Sequence, residues 1–437
     1  PVCTPARASI MTGLYPHQHG MTSNTGNLGC SVNELPDSPN LLSRKLESAG
    51  YRLGYTGKWH LGTEIRPWKK YEPALPKHFG FEGQNFDGHG DGGHGYEVYK
   101  KYLADNGWEL KFKKNHCEIR RTMRYAVWDN PVESTVEHYL ADHTISMLKK
   151  FQDSGSPFFL WHNFWGPHAP YFPTQEFYDI YADIEIPEWP NYKFDSTYGP
   201  CSVKRHPHQN SLNWTDWAEA IRHYYAFMNM TDYEIGRILD YLDCSGLAEN
   251  TWVFFSADHG ETLGSHGGLT DKGWHHFEEI QRIPLIIRPP KSLQDKFPPA
   301  GTVLKDWASL LDFYPTFLDV AGLRAENLPG TSLLPVLSGE KSIEDRDIFV
   351  EFFGVNNLAG TMLTCRHENF KYGWNCSQKD ELYDLENDPC EIRNLIDDPE
   401  YAKIAKDMLE RIDVFMAETC APMRGMFRQT RLGEYKT

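Results

Sequence analysis

The first chemically distinctive feature of the sequence is a cysteine close to a short predicted helix. In Cys3-Thr-Pro-Ala-Arg7, Thr4 is a good helix N-cap and Pro5 suits the first turn. The spacing therefore predicts a helix over 5–12, with Cys3 just before its start. Backbone N–H groups and the helix dipole favour an anion there, and Arg7 adds a permanent cation with forked donors. A buried cysteine beside an ordinary capped helix is the alternative interpretation of this segment.

Most of the other candidate residues share one feature, because each follows a predicted strand. With the strand in parentheses, they are Lys58 and His60 (51–57), His168 (158–164), and Asp258 and His259 (251–256). In open α/β sheets, ligands bind at the carboxyl ends of the strands. Taken alone, a lysine or histidine in such a place is more often a surface or turn residue.

The elements that must position these residues follow an α/β pattern. Helices predicted over 40–49 and 217–242 alternate with the strands above and with another at 283–287, which is typical of a sheet covered by helices. The pattern of predicted helices and strands changes past Arg346. There, short strands at 347–353, 369–374 and 381–385 precede a helix at 401–415. The sequence therefore predicts a catalytic domain over 1–345 and a smaller α+β domain over 346–437.

Composition excludes some classes of function. The net charge of −16 argues against a nucleic-acid partner, because phosphate contacts need a basic surface. No apolar run approaches the roughly 20 residues of a membrane span. The cysteine count of nine is odd and shows no metal-knuckle spacing, although Cys376 and Cys390 are close enough in sequence to close a disulfide loop.

Several separated motifs, in the same order, resemble those of one enzyme family. Cys3-Thr-Pro-Ala-Arg7 with the trailing Thr12-Gly13 is similar to the C-x-P-x-R signature of the type I, formylglycine-dependent sulfatases. The second signature of that family resembles residues 50–62, and later matches are 258–261, Lys272, 282–287 and 381–389. The resemblance runs from Cys3 to about Leu395. It implies an alkaline phosphatase-like fold, with a large mixed central sheet flanked by helices and a smaller C-terminal α+β domain.

The resemblance also implies a catalytic set, namely Cys3, Arg7, Lys58, His60, His168 and Lys272. A maturation enzyme would oxidise Cys3 to formylglycine, whose hydrate has one hydroxyl to attack sulfur and a second to expel sulfate. Lys58 and Lys272 would hold the sulfate oxygens. His60 would handle the hydroxyl proton of the hydrate, and His168 would lie near the leaving oxygen as a general acid.

A metal site is implied at Asp258 and His259. An oxygen-rich site suits calcium or, less often, magnesium, and a histidine is a less comfortable calcium ligand than the asparagine of many relatives. In this family a strand upstream of the cysteine motif ends in two aspartates, whereas this sequence begins at Pro1. We therefore expect it to be a fragment of a longer chain with its signal peptide upstream. The expected location is periplasmic or secreted, or lysosomal in a eukaryote.

The predicted function is hydrolysis of a sulfate ester, and a sulfated carbohydrate is favoured over a small aryl or choline ester. The stretches 66–115 and 187–210 are rich in Gly, Pro, His and Tyr, and are interpreted as surface insertions that shape substrate binding. A phosphonate or phosphate monoester hydrolase of the same superfamily is the closest alternative. A non-catalytic glycan-binding relative is a second one, although it would not need the whole proton-transfer set.

Overall fold

The computed structural model describes residues 2–27, 29–65, 71–120, 123–193, 212–272, 275–324, 326–355, 358–376 and 378–433. Its helices are α1 (Cys3–Thr12), α2 (Pro16–His19), α3 (Leu42–Ser48), α4 (Glu97–Asp105), α5 (Val136–Ser154), α6 (Gln175–Asp179), α7 (Trp214–Cys244), α8 (Ser265–Gly268), α9 (Glu278–Gln281), α10 (Phe313–Val320), α11 (Leu334–Leu337), α12 (Ala402–Glu418) and α13 (Arg424–Arg431). Its strands are β1 (Arg52–Gly57), β2 (Phe81–Gly83), β3 (Phe112–Arg120), β4 (Met123–Trp128), β5 (Phe158–Asn163), β6 (Val253–Ser256), β7 (Leu285–Arg288), β8 (Ile348–Val355), β9 (Leu358–His367), β10 (Phe370–Asn375) and β11 (Glu381–Asp384).

Parallel strands in the order β2-β1-β5 form a sheet whose strands β1 and β5 precede Lys58, His60 and His168. Tyr55 of β1 pairs with Trp161 of β5, and both rings lie in the principal core beside Trp59. Burying such large aromatic side chains fixes the register, because a shift by one residue would turn them to the other face. β6 and β7 form a separate antiparallel pair. The strands predicted before Lys58, His168 and Asp258 are thus all present.

Residues 348–384 form an antiparallel sheet in the order β11-β10-β9-β8. Its core contains Trp374 and Tyr372, which pack with Met408 and Ile412 of α12 and with Phe427 of α13. Three of the strands and α12 match sequence predictions, whereas β9 and α13 were not predicted. This sheet lies against α9, which follows Lys272 in the chain, through the ion pair of Arg366 with Glu278.

Two sequence expectations differ from the structure. The stretch over 66–115 is not simply a surface insertion, since α4 within it buries Tyr99 and Leu103 in a core with Trp128. These two side chains are one helical turn apart and therefore share a face. Cys376 and Cys390 are free thiols, and the Cys376 thiol contacts Met426 Sδ at 3.6 Å instead. Within the described ranges, none of the helices is both long and apolar enough to cross a membrane.

Candidate active site

Cys3 is the first residue of α1, so the helix begins earlier than the spacing predicted. Val2 takes the N-cap position, and its carbonyl accepts a hydrogen bond from Ala6 N at 3.1 Å. Thr4 does not cap the helix, because its hydroxyl donates to the His60 carbonyl at 2.8 Å. That bond joins the start of α1 to the loop after β1. The Cys3 side chain is fully buried at this junction.

Positive groups surround the Cys3 sulfur. Lys58 Nζ lies 3.3 Å from Cys3 Sγ, and His259 Nε2 lies 3.1 Å from it. Burial opposes ionisation of the thiol, but Lys272, Lys58 and His259 outweigh it and hold the pKa of Cys3 well below its ordinary value. The residue therefore occupies a pocket that stabilises negative charge, as the sequence predicted for an anion site.

A close approach of two strand ends brings Lys58 to this pocket. Gly57 has a φ of 86°, and a Cβ atom there would lie 1.8 Å from the Asn163 carbonyl oxygen. Only glycine permits this approach, in which Lys58 N donates to Asn163 O at 3.1 Å. The Arg7 guanidinium joins α1 to the ends of β1 and β5, because its Nη1 donates to Lys58 O at 2.8 Å and to Asn163 Oδ1 at 2.9 Å.

Arg7 also fixes Asp258. Arg7 Nε donates to Asp258 Oδ2 at 2.9 Å, and both side chains are largely buried. Burial raises the pKa of Asp258, but the neighbouring His259 and Arg7 reverse the shift and keep the carboxylate ionised. Three N–H donors of the guanidinium that the sequence offered to an oxyanion are thus used by protein groups. In this geometry Arg7 positions Asp258 and the strand ends around Cys3.

Lys272 and His168 form a second donor pair. Lys272 Nζ lies 2.5 Å from His168 Nε2 and 2.9 Å from Asp271 Oδ1. His168 Nδ1 is 2.9 Å from the Ala169 carbonyl, so it must carry the ring proton, and Nε2 accepts from Lys272. Burial and then Lys272 lower the pKa of His168 to about 3, which leaves its ring neutral. For Lys272, Asp271 outweighs burial and raises the pKa.

His60 lies beneath the pocket. Its backbone has a φ of 56°, and its N–H donates to Asp87 O at 3.1 Å. Burial lowers the pKa of its ring. Among the described residues, Nδ1 of this ring has no hydrogen-bond partner. A hydrogen bond with Cys3 opposes the lowering of the pKa, so the His60 ring lies beside the Cys3 sulfur.

Three groups could hold a metal ion here. Cys3 Sγ, an Asp258 oxygen and a His259 nitrogen lie within 4.8 Å of one another. His259 Nδ1 lies 2.8 Å from the Gly260 carbonyl and donates to it, so Nε2 is the ring nitrogen that faces Cys3. Calcium prefers six to eight oxygen ligands. The described residues therefore supply part of a calcium site, and this donor set alone does not complete one.

The structure brings together every residue that the sequence singled out and adds three. Asn163 was missed although it ends β5, so the strand-end rule could have found it. Asp271 precedes Lys272 and had no signal of its own. His89 lies in the glycine-rich loop after β2, where its ring centroid is 4.9 Å from that of His60 and 4.6 Å from that of His168. The sequence marked that loop for substrate binding without indicating this histidine.

An α/β fold whose strand ends gather buried lysines and histidines around one nucleophile defines a hydrolase of the alkaline phosphatase-like class. The profile of the family described as Sulfatase matches residues 1–323. A second profile, described as N-sulphoglucosamine sulphohydrolase, C-terminal, matches residues 264–418. The chain belongs to the sulfatase family and is a sulfuric ester hydrolase. The fold and family expected from the sequence are thus confirmed.

Known proteins similar to this chain include two sulfatases and a structural neighbour. An uncharacterized sulfatase, YidJ of Escherichia coli, is 28% identical over 97% of this chain and 79% of its own length. An N-acetylglucosamine-6-O-sulfatase of Bacteroides thetaiotaomicron is 24% identical over 94% of this chain and 76% of its own length. The crystal structure of a phosphonate monoester hydrolase of Agrobacterium radiobacter superposes with a TM-score of 0.78 at 22% identity, covering 96% of this chain and 87% of the other.

Proposed function

We propose that this chain removes sulfate from a sulfated carbohydrate, with a formylglycine derived from Cys3 as the nucleophile. The observation that carries the proposal is the charge arrangement around Cys3. Arg7, Lys58 and Lys272 face two ionised carboxylates, Asp258 and Asp271, and the Cys3 thiolate. If an uncharged aldehyde replaces the thiolate, one positive charge of these side chains remains in surplus before any metal ion is counted. A singly charged sulfate ester matches that surplus.

The aldehyde supplies, once hydrated, two hydroxyls on one carbon, so that one can attack sulfur and the other can release sulfate. Lys58 and Lys272 stabilise the negative charge of the ester oxygens, strongly because both lysines are buried. His60 has an unpartnered Nδ1 and a lowered pKa, and it accepts a proton from the group at residue 3.

The leaving oxygen needs a proton from the opposite side of the pocket. His168 Nε2 accepts a hydrogen bond from Lys272 at 2.5 Å. At neutral pH the proton of this hydrogen bond belongs to Lys272, because the His168 ring is neutral. As the leaving oxygen gains charge, a proton passes from Lys272 Nζ to that oxygen and leaves a neutral amine, while His168 Nε2 orients the ammonium by accepting from it. This assignment keeps His168 at the leaving group and makes Lys272 the source of its proton.

Asp258 and His259 are proposed to bind calcium, or less often magnesium, which would supply additional charge stabilisation. The ion pair with Arg7 fixes the orientation of the Asp258 carboxylate, and the hydrogen bond to the Gly260 carbonyl fixes the orientation of the His259 ring. We further propose a catalytic domain over 1–345 and a subdomain over 346–437, in line with the separate antiparallel sheet. A formylglycine-generating or equivalent enzyme is the implied maturation partner, and the proposed location is periplasmic or secreted, or lysosomal in a eukaryote.

The support for a carbohydrate substrate is the N-acetylglucosamine-6-O-sulfatase relative. The second candidate is a phosphonate or phosphate monoester hydrolase, favoured by the similarity in fold to the phosphonate monoester hydrolase. A phosphate monoester carries a second negative charge, which the single surplus positive charge does not balance. The charge arrangement therefore favours a singly charged ester, which includes phosphonate monoesters as well as sulfate esters, and the match to the sulfatase family supports the sulfate ester.

The test is to produce the protein with and without a maturation enzyme and to assay sulfated oligosaccharides, an aryl sulfate and an aryl phosphonate. We expect mass spectrometry of the tryptic peptide ending at Arg7 to find the aldehyde. We also expect desulfation of at least one oligosaccharide, and no activity in Cys3→Ala. An active preparation that contains only the Cys3 thiol would exclude the formylglycine. Turnover of the phosphonate with no oligosaccharide desulfated would replace the proposed substrate class.

A further inference from the structure

His89 faces the same space as Cys3 and His168. A ring nitrogen of His89, Cys3 Sγ and a ring nitrogen of His168 all lie within 4.8 Å of one another. An atom at the centre of such a triangle is within hydrogen-bond distance of all three. Unlike the fully buried Cys3, His89 remains partly exposed, so its ring lies on the open side of the pocket.

The loop that carries His89 is held rigidly on both sides of the histidine. Before it, the Gly88 carbonyl accepts from Trp165 Nε1 at 3.1 Å, and Gly88 N donates to the Tyr96 hydroxyl at 3.0 Å. The same hydroxyl donates to Asp87 Oδ1 at 2.7 Å. After it, Gly90 has a positive φ, and a Cβ atom there would lie 2.0 Å from the Tyr96 ring.

This support differs from that of an ordinary surface insertion. Trp165, in the loop after β5, and Tyr96 fix the backbone of the His89 loop, and a fixed backbone holds a side chain in one place relative to the nucleophile. Such preorganisation is the condition under which one hydrogen bond contributes to a reaction rate. The loop therefore places an imidazole against the reacting group and maintains it there.

We propose that His89 is a further catalytic residue, whose neutral ring donates a hydrogen bond to the sulfate ester bound beside residue 3. Because this donor adds no positive charge, it favours a singly charged ester over a doubly charged phosphate. The proposal rests on the sulfatase function proposed above. Lys58 and then burial lower the pKa of His89, which is consistent with a neutral ring. A neutral donor stabilises an ester oxygen without adding positive charge to the pocket.

Four variants test the assignment. His89→Ala removes the donor, His89→Gln retains an amide N–H, and His89→Lys adds a charge. The matched control is His94→Gln, since His94 lies in the same loop but packs against Trp128, with ring centroids 5.4 Å apart. We expect kcat/KM for an aryl sulfate to fall about 10- to 100-fold in His89→Ala, with partial recovery in His89→Gln. We expect His89→Lys to shift the ratio of sulfate to phosphate monoester turnover about 10-fold towards phosphate.

A binding measurement separates this role from structural damage. Titration calorimetry with inorganic sulfate should give a weaker Kd for His89→Ala than for the wild type or His94→Gln. Tyr96→Phe keeps the ring but removes the hydroxyl that holds Asp87 and Gly88. This variant should lower kcat while leaving the melting temperature close to that of the wild type. Wild-type values of kcat/KM and sulfate Kd in His89→Ala would overturn the proposal. A wild-type enzyme inactive on every sulfate ester would instead overturn the proposed function.

Discussion

Among the described residues, two buried clusters contain lysine, and the lysines in them have different partners. Around Cys3, Lys58 contacts the sulfur at 3.3 Å, and Lys272 contacts His168 and Asp271. At the base of the C-terminal sheet, Lys371 donates to the His276 carbonyl at 2.7 Å and to Glu278 Oε1 at 3.0 Å, and it forms an ion pair with Glu391. All three lysines are nearly inaccessible to solvent.

The difference lies in how completely the protein itself pairs the charge. Glu278 pairs with both Arg366 and Lys371, and Glu391 pairs with Lys371, so protein groups close this network, although burial raises the pKa of Glu391 to about 8. Burial lowers the pKa of Lys371, but Glu391 and Glu278 outweigh it and raise the pKa. For Lys58 burial prevails, and its pKa is lowered although Cys3 and Asp258 are near. A buried lysine with complete protein partners stabilises the fold, whereas one without them is available to a ligand.

The largest effect should come from breaking the closed network. Lys371→Met leaves Glu278 and Glu391 buried with one cation fewer, and breaking a buried pair costs about 3–5 kcal/mol. We expect the free energy of unfolding, measured with urea, to fall by about that amount. The matched control is Lys379→Met, between β10 and β11, whose lysine is exposed and paired with Asp397. An exposed pair contributes about 0–1 kcal/mol, so equal losses in both variants would contradict the comparison.

The next largest effect should be on turnover and not on the stability of the fold. Lys58→Met removes a buried ammonium with incomplete partners, so the stability of the fold should stay the same or rise. The negative charge of the transition state, however, loses a hydrogen-bond donor. Removing one such donor lowers turnover by about 10²- to 10³-fold. We expect a loss of that size in kcat/KM for an aryl sulfate, with no decrease in melting temperature. Lys77→Met, at an exposed ion pair with Glu72, is the control. A melting temperature lowered as far as in Lys371→Met would show that Lys58 stabilises the fold.

The sequence located the Cys3 cluster far better than the Lys371 network. Lys58, His168 and Asp258 each follow a strand, and strand ends converge by the geometry of a sheet, so local patterns were sufficient. His89 depends on bonds from Trp165 and Tyr96 to its loop, which no local periodicity indicates. Similarly, Thr4 has the sequence context of an N-cap, but a tertiary bond to the His60 carbonyl uses its hydroxyl. Lys371 lies in an ordinary strand, and nothing in its neighbours reveals the two carboxylates.

The smallest expected effect concerns an ion pair that links α2 to the C-terminal sheet. His17 Nδ1 lies 2.6 Å from Glu351 Oε1, and His17 Nε2 lies 3.0 Å from the Thr419 carbonyl. Both ring nitrogens therefore donate when the ring is charged. Burial lowers the pKa of His17, but the hydrogen bond and charge of Glu351 outweigh it, so the pKa is raised above its ordinary value.

Because the folded state binds this proton more tightly, the stabilisation is fully present below the unfolded pKa of about 6.5 and is lost as the pH rises through the higher folded value. A hydrogen bond to a charged group contributes about 1.5–3 kcal/mol, so we expect the difference in unfolding free energy between wild type and His17→Gln to shrink by about 1–2 kcal/mol over that interval. The measurement is urea unfolding of both proteins on each side of it. A difference that does not change with pH would show that the charge of the pair is the same on both sides of the interval and that this link between α2 and the C-terminal sheet does not titrate there.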